Sequence, residues 1–194
     1  MRKFSVSLVV LLVPFFAQAQ DGGLSFKGIP VGGNCEVFAR NLASKGLRKI
    51  DSGDNSILFR GNFMAEPDVF VFVRSDPVSR DVTGVSAYFE VEGRWSAVDR
   101  KYFEIVDAYS EKYGEPTAHR ECFGDDDFGS DYRRLYMLSE GKCLYMTVWN
   151  VGGGVISIAP YCLKSSESRK YMVGVHYFNL DNMEAMKKTA LEDI

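Results

Sequence analysis

The sequence predicts an α+β fold made of two tandem units, each a helix followed by an antiparallel sheet on which it packs. Three observations lead there. Apolar residues recur at helical spacing twice, over Cys35–Leu42 and over Val98–Tyr113, and a glycine closes each run, Gly46 and Gly114. Each helix is followed by short runs rich in β-branched and aromatic residues, separated by turn clusters. The helix endings Ala43-Ser44-Lys45-Gly46 and Ser110-Glu111-Lys112-Tyr113-Gly114 are alike, which argues for an internal structural repeat.

In the first unit, residues 20–92, Asn34 is placed to cap the helix that begins at Cys35. Cys35, Phe38, Ala39 and Leu42 fall on one face of it. Strands are expected at Leu47–Ile50, Ser56–Met64, Asp68–Arg74 and Val82–Glu90. In the third of these, Phe70 and Phe72 point one way and Val69, Val71 and Val73 the other, so the strand should lie inside the sheet. In the second unit, residues 93–194, Ser96 with Asp99 three positions on reads as a capping pair for the second helix. Pro116 prevents that helix from continuing. Strands follow at Thr117–Phe123, Cys143–Trp149, Val155–Tyr161 and Tyr171–Phe178, with a short helix over Asp131–Glu140 and a charged tail from Asp181. The two sheets are free to join edge to edge.

The first nineteen residues read as a secretory leader. Arg2 and Lys3 precede an apolar core from Phe4 to Phe16, and Ala17-Gln18-Ala19 is a small-x-small cleavage site. The core is shorter than the roughly 20 residues a spanning helix needs, and no later stretch supplies them, so an exported, soluble chain without a transmembrane segment is expected from about Gln20. The chain carries 23 Lys and Arg against 26 Asp and Glu, and the leader removes two of the basic ones. That acidic balance argues against a nucleic-acid partner. A content of 46% hydrophobic residues is enough for a real core.

Export favours disulfides over a metal site for Cys35, Cys122, Cys143 and Cys162. The preferred pairing is Cys122–Cys143 with Cys35–Cys162, and a rival joins Cys143 to Cys162 across a hairpin turning at Asn150–Gly154. Cys35, on the apolar side of its helix, also reads simply as a buried thiol.

No catalytic set emerges. His119 and His176 are the only imidazoles, and no G-x-S-x-G elbow stands near either. Alternation puts His176 on the face opposite Val175 and Tyr177, open to solvent. The acidic run Asp125–Asp131 departs from the EF-hand calcium pattern and reads as a solvated loop with Asp131 as a helix cap, calcium being a minor option. Gly152-Gly153-Gly154 is followed by a strand rather than a helix, so it is a hairpin turn and not a phosphate cradle. Glu104, Asp107 and Glu111 share the polar side of the second helix as a solvated face. No cofactor or metal ligand set is expected. The aromatic stock (Tyr145, Trp149, Tyr161, Tyr171, Tyr177 and Phe178 in the second sheet, Phe59, Phe63 and Tyr88 in the first) suits a recognition surface on a sheet face that no helix covers. Tyr145 and Trp149 share parity and are the first choice as exposed contacts.

Phe26-Lys27-Gly28-Ile29-Pro30-Val31-Gly32-Gly33, Tyr113-Gly114-Glu115-Pro116, Gly141-Lys142-Cys143-Leu144-Tyr145, Gly154-Val155-Ile156-Ser157-Ile158 and Tyr177-Phe178-Asn179-Leu180-Asp181-Asn182 resemble a family of small secreted proteins of Bacteroides-type bacteria. The family's layout is similar to that of the β-lactamase inhibitor protein, whose tandem helix-plus-sheet units form a concave binding face. The resemblance implies architecture and no activity.

The function expected is therefore non-enzymatic: a secreted or periplasmic module that binds a protein partner through an open sheet face. A cell-envelope structural or assembly factor is the alternative, and an unrecognised hydrolase acting through the acidic loop or His176 a third.

Overall fold

The computed structural model describes residues 23–123, 130–165 and 168–192. The leader and most of the Asp125–Asp131 loop lie outside the described residues. A two-stranded hairpin, β1 (Ser25–Phe26) and β2 (Ile29–Pro30), precedes helix α1 (Cys35–Ser44). Four strands follow: β3 (Arg48–Gly53), β4 (Ser56–Phe63), β5 (Glu66–Ser75) and β6 (Val82–Val91). Then come α2 (Trp95–Tyr113), β7 (Ala118–Cys122), α3 (Asp131–Ser139), β8 (Leu144–Val151), β9 (Gly154–Lys164), β10 (Arg169–Asn179) and α4 (Leu180–Glu192).

The fold is α+β, and β3 to β10 form one antiparallel eight-stranded sheet ordered β3-β4-β5-β6-β10-β9-β8-β7. Its midline is the β6–β10 pair, where Val85 faces Tyr177 and Phe89 faces Val173. β5 lies inside the sheet, with Val69, Val71 and Val73 buried and Phe70 and Phe72 half-buried on the other side. The turn at Gly152-Gly153 joins β8 to β9 as a hairpin.

One core lies under α1, α2 and the first hairpin. Asn34 caps α1, its Oδ1 accepting from the amides of Glu36 at 3.0 Å and Val37 at 3.3 Å. Cys35, Phe38 and Leu42 are buried beneath. Phe26 of β1 meets Phe63 and Tyr177, ring centroids 4.7 and 5.3 Å apart. α2 is held by its hydroxyls as well as its apolar stripe: Tyr102 shares a hydrogen bond with Thr147 of β8, and Tyr109 with Tyr177 of β10. Burial pushes the Tyr102 phenol up to about 12 and the Tyr109 and Tyr177 phenols well up, so all three stay neutral.

Three local expectations are corrected. α2 begins at Trp95, with Arg94 in the cap position and no side-chain cap bond, so Ser96 lies inside the first turn. Packing sets that start: Trp95 is buried against Phe123 and Tyr145, ring centroids 4.8 and 5.4 Å away. Asp131 likewise is not the cap of α3; Ser130 stands there, and Asp131 sits in the first turn, where its charge suits the helix N-terminus. The charged tail is the helix α4, tied down where Asn182 Nδ2 donates to the Val82 carbonyl at 2.8 Å. No helix among the described residues is long and apolar enough to cross a membrane.

No two of the four cysteines stand at disulfide distance in this structure. Cys35 is the buried thiol of α1. Cys122 closes β7 opposite Leu144, next in sequence to Cys143. Burial, then the neighbouring Cys122, pushes the Cys143 thiol up to about 11.

Candidate binding face

α2 decides which side of the sheet is left uncovered. Tyr145 and Trp149 do share a face, but it is the one under α2, where they are 4% and 2% exposed. The Tyr145 hydroxyl donates to Asp99 Oδ1 at 2.7 Å, and Trp149 Nε1 donates to the Gly114 carbonyl at 2.9 Å. They anchor the helix instead of offering contacts. Alternation along β8 fixes that the two rings point the same way; only the docked helix fixes which way. Tyr171, Tyr177, Phe59 and Phe63 of the aromatic stock are core residues too.

The opposite face carries Tyr88, Tyr161 and Phe178, together with Leu58, Phe70, Phe72, Leu163 and Met172, which no sequence motif marks as contacts. The register brings them together from five neighbouring strands, β4, β5, β6, β10 and β9. At the ~4.8 Å strand spacing their row is about 19 Å wide. All of them but Phe178 line an apolar groove of about 660 Å³. Leu163 is 61% exposed and Tyr161 38%. Full burial of such a side chain returns roughly 1.5–3 kcal/mol, so this row is where a binding partner gains most. The sequence signal for it is the two-faced apolar pattern of β5, whose phenylalanines lie on this side.

Charges border the groove. Arg60 Nε is 3.2 Å from Asp68 Oδ1, its guanidinium over the Phe70 ring, and Lys170 Nζ is 3.2 Å from Glu90. These pairs are exposed and contribute orientation more than stability. Arg74 stacks on Phe178 at 5.6 Å and belongs to no ion pair among the described residues.

His176 is on this side but not open to solvent: it is 5% exposed beneath Tyr88, Tyr161 and Phe178. Its Nδ1 shares a 2.8 Å hydrogen bond with the buried Ser86 hydroxyl. A Cβ at Gly174 would stand 2.6 Å from His176 Nε2 and 2.8 Å from Tyr161 Cε2, so the glycine makes room for both rings. Burial, helped by the Arg74 charge, holds the imidazole down to about 4. A neutral, enclosed ring beside a hydroxyl that is itself 1% exposed does not reach a substrate.

A second histidine lies in a carboxylate–imidazole–hydroxyl line at the edge of the helix-covered face. Glu121 Oε1 is 2.9 Å from His119 Nε2, and His119 Nδ1 is 2.7 Å from Thr147 Oγ1. The order suits nucleophilic catalysis, but Thr147 is 0% exposed and already bonded to Tyr102, which closes its oxygen to attack on any substrate. The line braces β7 against β8 and α2. Among the described residues no group of three or more His, Cys, Asp or Glu side chains is arranged to hold a metal ion. No protein-family model matches this chain, and neither a curated protein nor a solved structure matches it.

Proposed function

We propose that this chain is an exported, non-enzymatic binding module that engages a protein partner through the uncovered face of its sheet. The observation that supports the reading is the groove itself: half-exposed aromatic and aliphatic side chains from five adjacent strands, held rigid by paired backbones and bordered by charge. Rigid aromatic side chains bury area at little entropic cost, the usual property of binding hot spots. The strand order supports a tandem arrangement, since residues before α2 supply β3 to β6 and later residues supply β7 to β10, each set led by a helix. On this reading the two units are joined through their last strands, and the resemblance to secreted Bacteroides-type proteins of inhibitor-like layout is one of architecture.

The test is retention of partners from the cell envelope and culture fluid by the wild-type chain and by Leu163→Asp. Leu163 is well exposed, so the variant keeps its core. A specific protein held by the wild type and held roughly tenfold less by Leu163→Asp is the expected result. Equal retention by both moves the site off this face, and no retained protein removes the reading.

A further inference from the structure

Two cavities lie on the sheet face opposite α2 and share Phe72 as a lining residue. One is the apolar groove. The other, about 310 Å³, lies under α4, with Met183 and Met186 as one wall and Arg74, Ser75 and Asn55 on its polar side. One buried polar group in this smaller cavity has no partner, and an exposed cation stands beside it. Ser75 is 5% exposed and its Oγ makes no hydrogen bond, a cost that native folds rarely leave unexplained. Arg74 is a cation without an ion pair among the described residues. Asp76, two residues on, forms no ion pair with Arg74; its Oδ1 accepts from the amides of Val78 at 2.8 Å and Ser79 at 2.6 Å.

We propose that the two cavities together bind a free single-chain amphiphile with an anionic oxygen head, of the long-chain carboxylate class. The carboxylate accepts the Ser75 O–H and pairs with Arg74, a charge-assisted geometry to which a guanidinium is suited. The chain then passes Phe72 into the groove among Leu58, Phe70, Tyr88 and Met172. Size suits such a ligand: the two cavities, about 310 and 660 Å³, fall within the 300–1,000 Å³ range of small-molecule sites. The two methionines give the wall the adaptability a flexible chain requires. This inference goes beyond the protein-binding reading and shares its face, and its failure leaves that reading standing, because the latter is read by retention of a protein.

The experiment is calorimetric titration of the full chain with dodecanoate and with its neutral counterpart dodecanol, in the wild type and in Arg74→Gln, Ser75→Ala and Lys45→Gln. Expected is saturable one-to-one binding of dodecanoate, weakened roughly tenfold or more by Arg74→Gln and less by Ser75→Ala. Lys45→Gln, exposed at the end of α1 and remote from both cavities, should change nothing, and dodecanol should not distinguish the wild type from Arg74→Gln. Ser75→Ala removes an unpartnered hydroxyl and should fold at least as stably as the wild type, so its lost affinity cannot be unfolding. Absence of saturable binding, equal dodecanoate affinity in Arg74→Gln, or association only with phosphatidylglycerol vesicles would each overturn the proposal.

Discussion

His176 shows how a single side chain can be assigned to the right face and the wrong environment. Its parity along β10 was legible, and it does oppose Val175 and Tyr177. Its burial was not, because two of the rings that cover it arrive from β6 and β9. The consequence is measurable. The folded imidazole titrates at about 4, below its ordinary 6.5, through burial first and the Arg74 charge second. Between those pH values the unfolded chain binds a proton that the folded chain refuses, so stability falls as pH falls through this window. The loss from this group is about 3 kcal/mol by pH 4. Urea unfolding of the wild type and of His176→Gln, which can still bond to Ser86, should show their stability difference shrink by about that amount between pH 7 and pH 4. A gap that stays constant would mean the folded ring accepts its proton without penalty.

At the scale of elements, local signals and packing divide the work. α1 was legible because its cap is chemical: an Asn side chain satisfies two amides that no helix can satisfy internally. α2 starts at Trp95 because an indole in the core outweighs a serine cap worth about 1 kcal/mol. α4 was hidden by its charges, its anchors being two methionines and an asparagine bond to Val82. The strands depend on close backbone approach at the sheet's midline. Gly84 of β6 has no room for a Cβ, which would lie 2.9 Å from the Tyr177 carbonyl oxygen. Gly84→Ala should therefore destabilise the protein by about 1–3 kcal/mol. Gly152→Ala, whose added carbon meets nothing nearer than 3.8 Å, should cost far less. Comparison of their urea midpoints checks this, and equal midpoints would show that the β6–β10 pair yields easily.

For the whole molecule the decisive contact is that same pair. It makes one sheet and one core of two strand sets, with Tyr109 of α2 bonded across to Tyr177 and the first hairpin's Phe26 packed on the same tyrosine. Neither half can lose its strands without exposing the apolar rows of the other. Calorimetry should then show a single transition with calorimetric and van't Hoff enthalpies equal. Two resolved transitions would mean that the halves fold separately and only touch at β6 and β10.

The sequence by itself determined the α+β class, the helix-then-strands order, the interior place of β5 and the pairs of residues that share a face. Each of these is a local or periodic property, set by alternation, capping and turn chemistry. Only the tertiary structure decided which face of the sheet α2 covers, and hence that Tyr145 and Trp149 are buried while Tyr88, Tyr161 and Phe72 line a groove. It also decided that Ser75 and Arg74 line one cavity. Strand periodicity has two equivalent sides, and the symmetry is broken only when a helix distant in sequence docks on one of them.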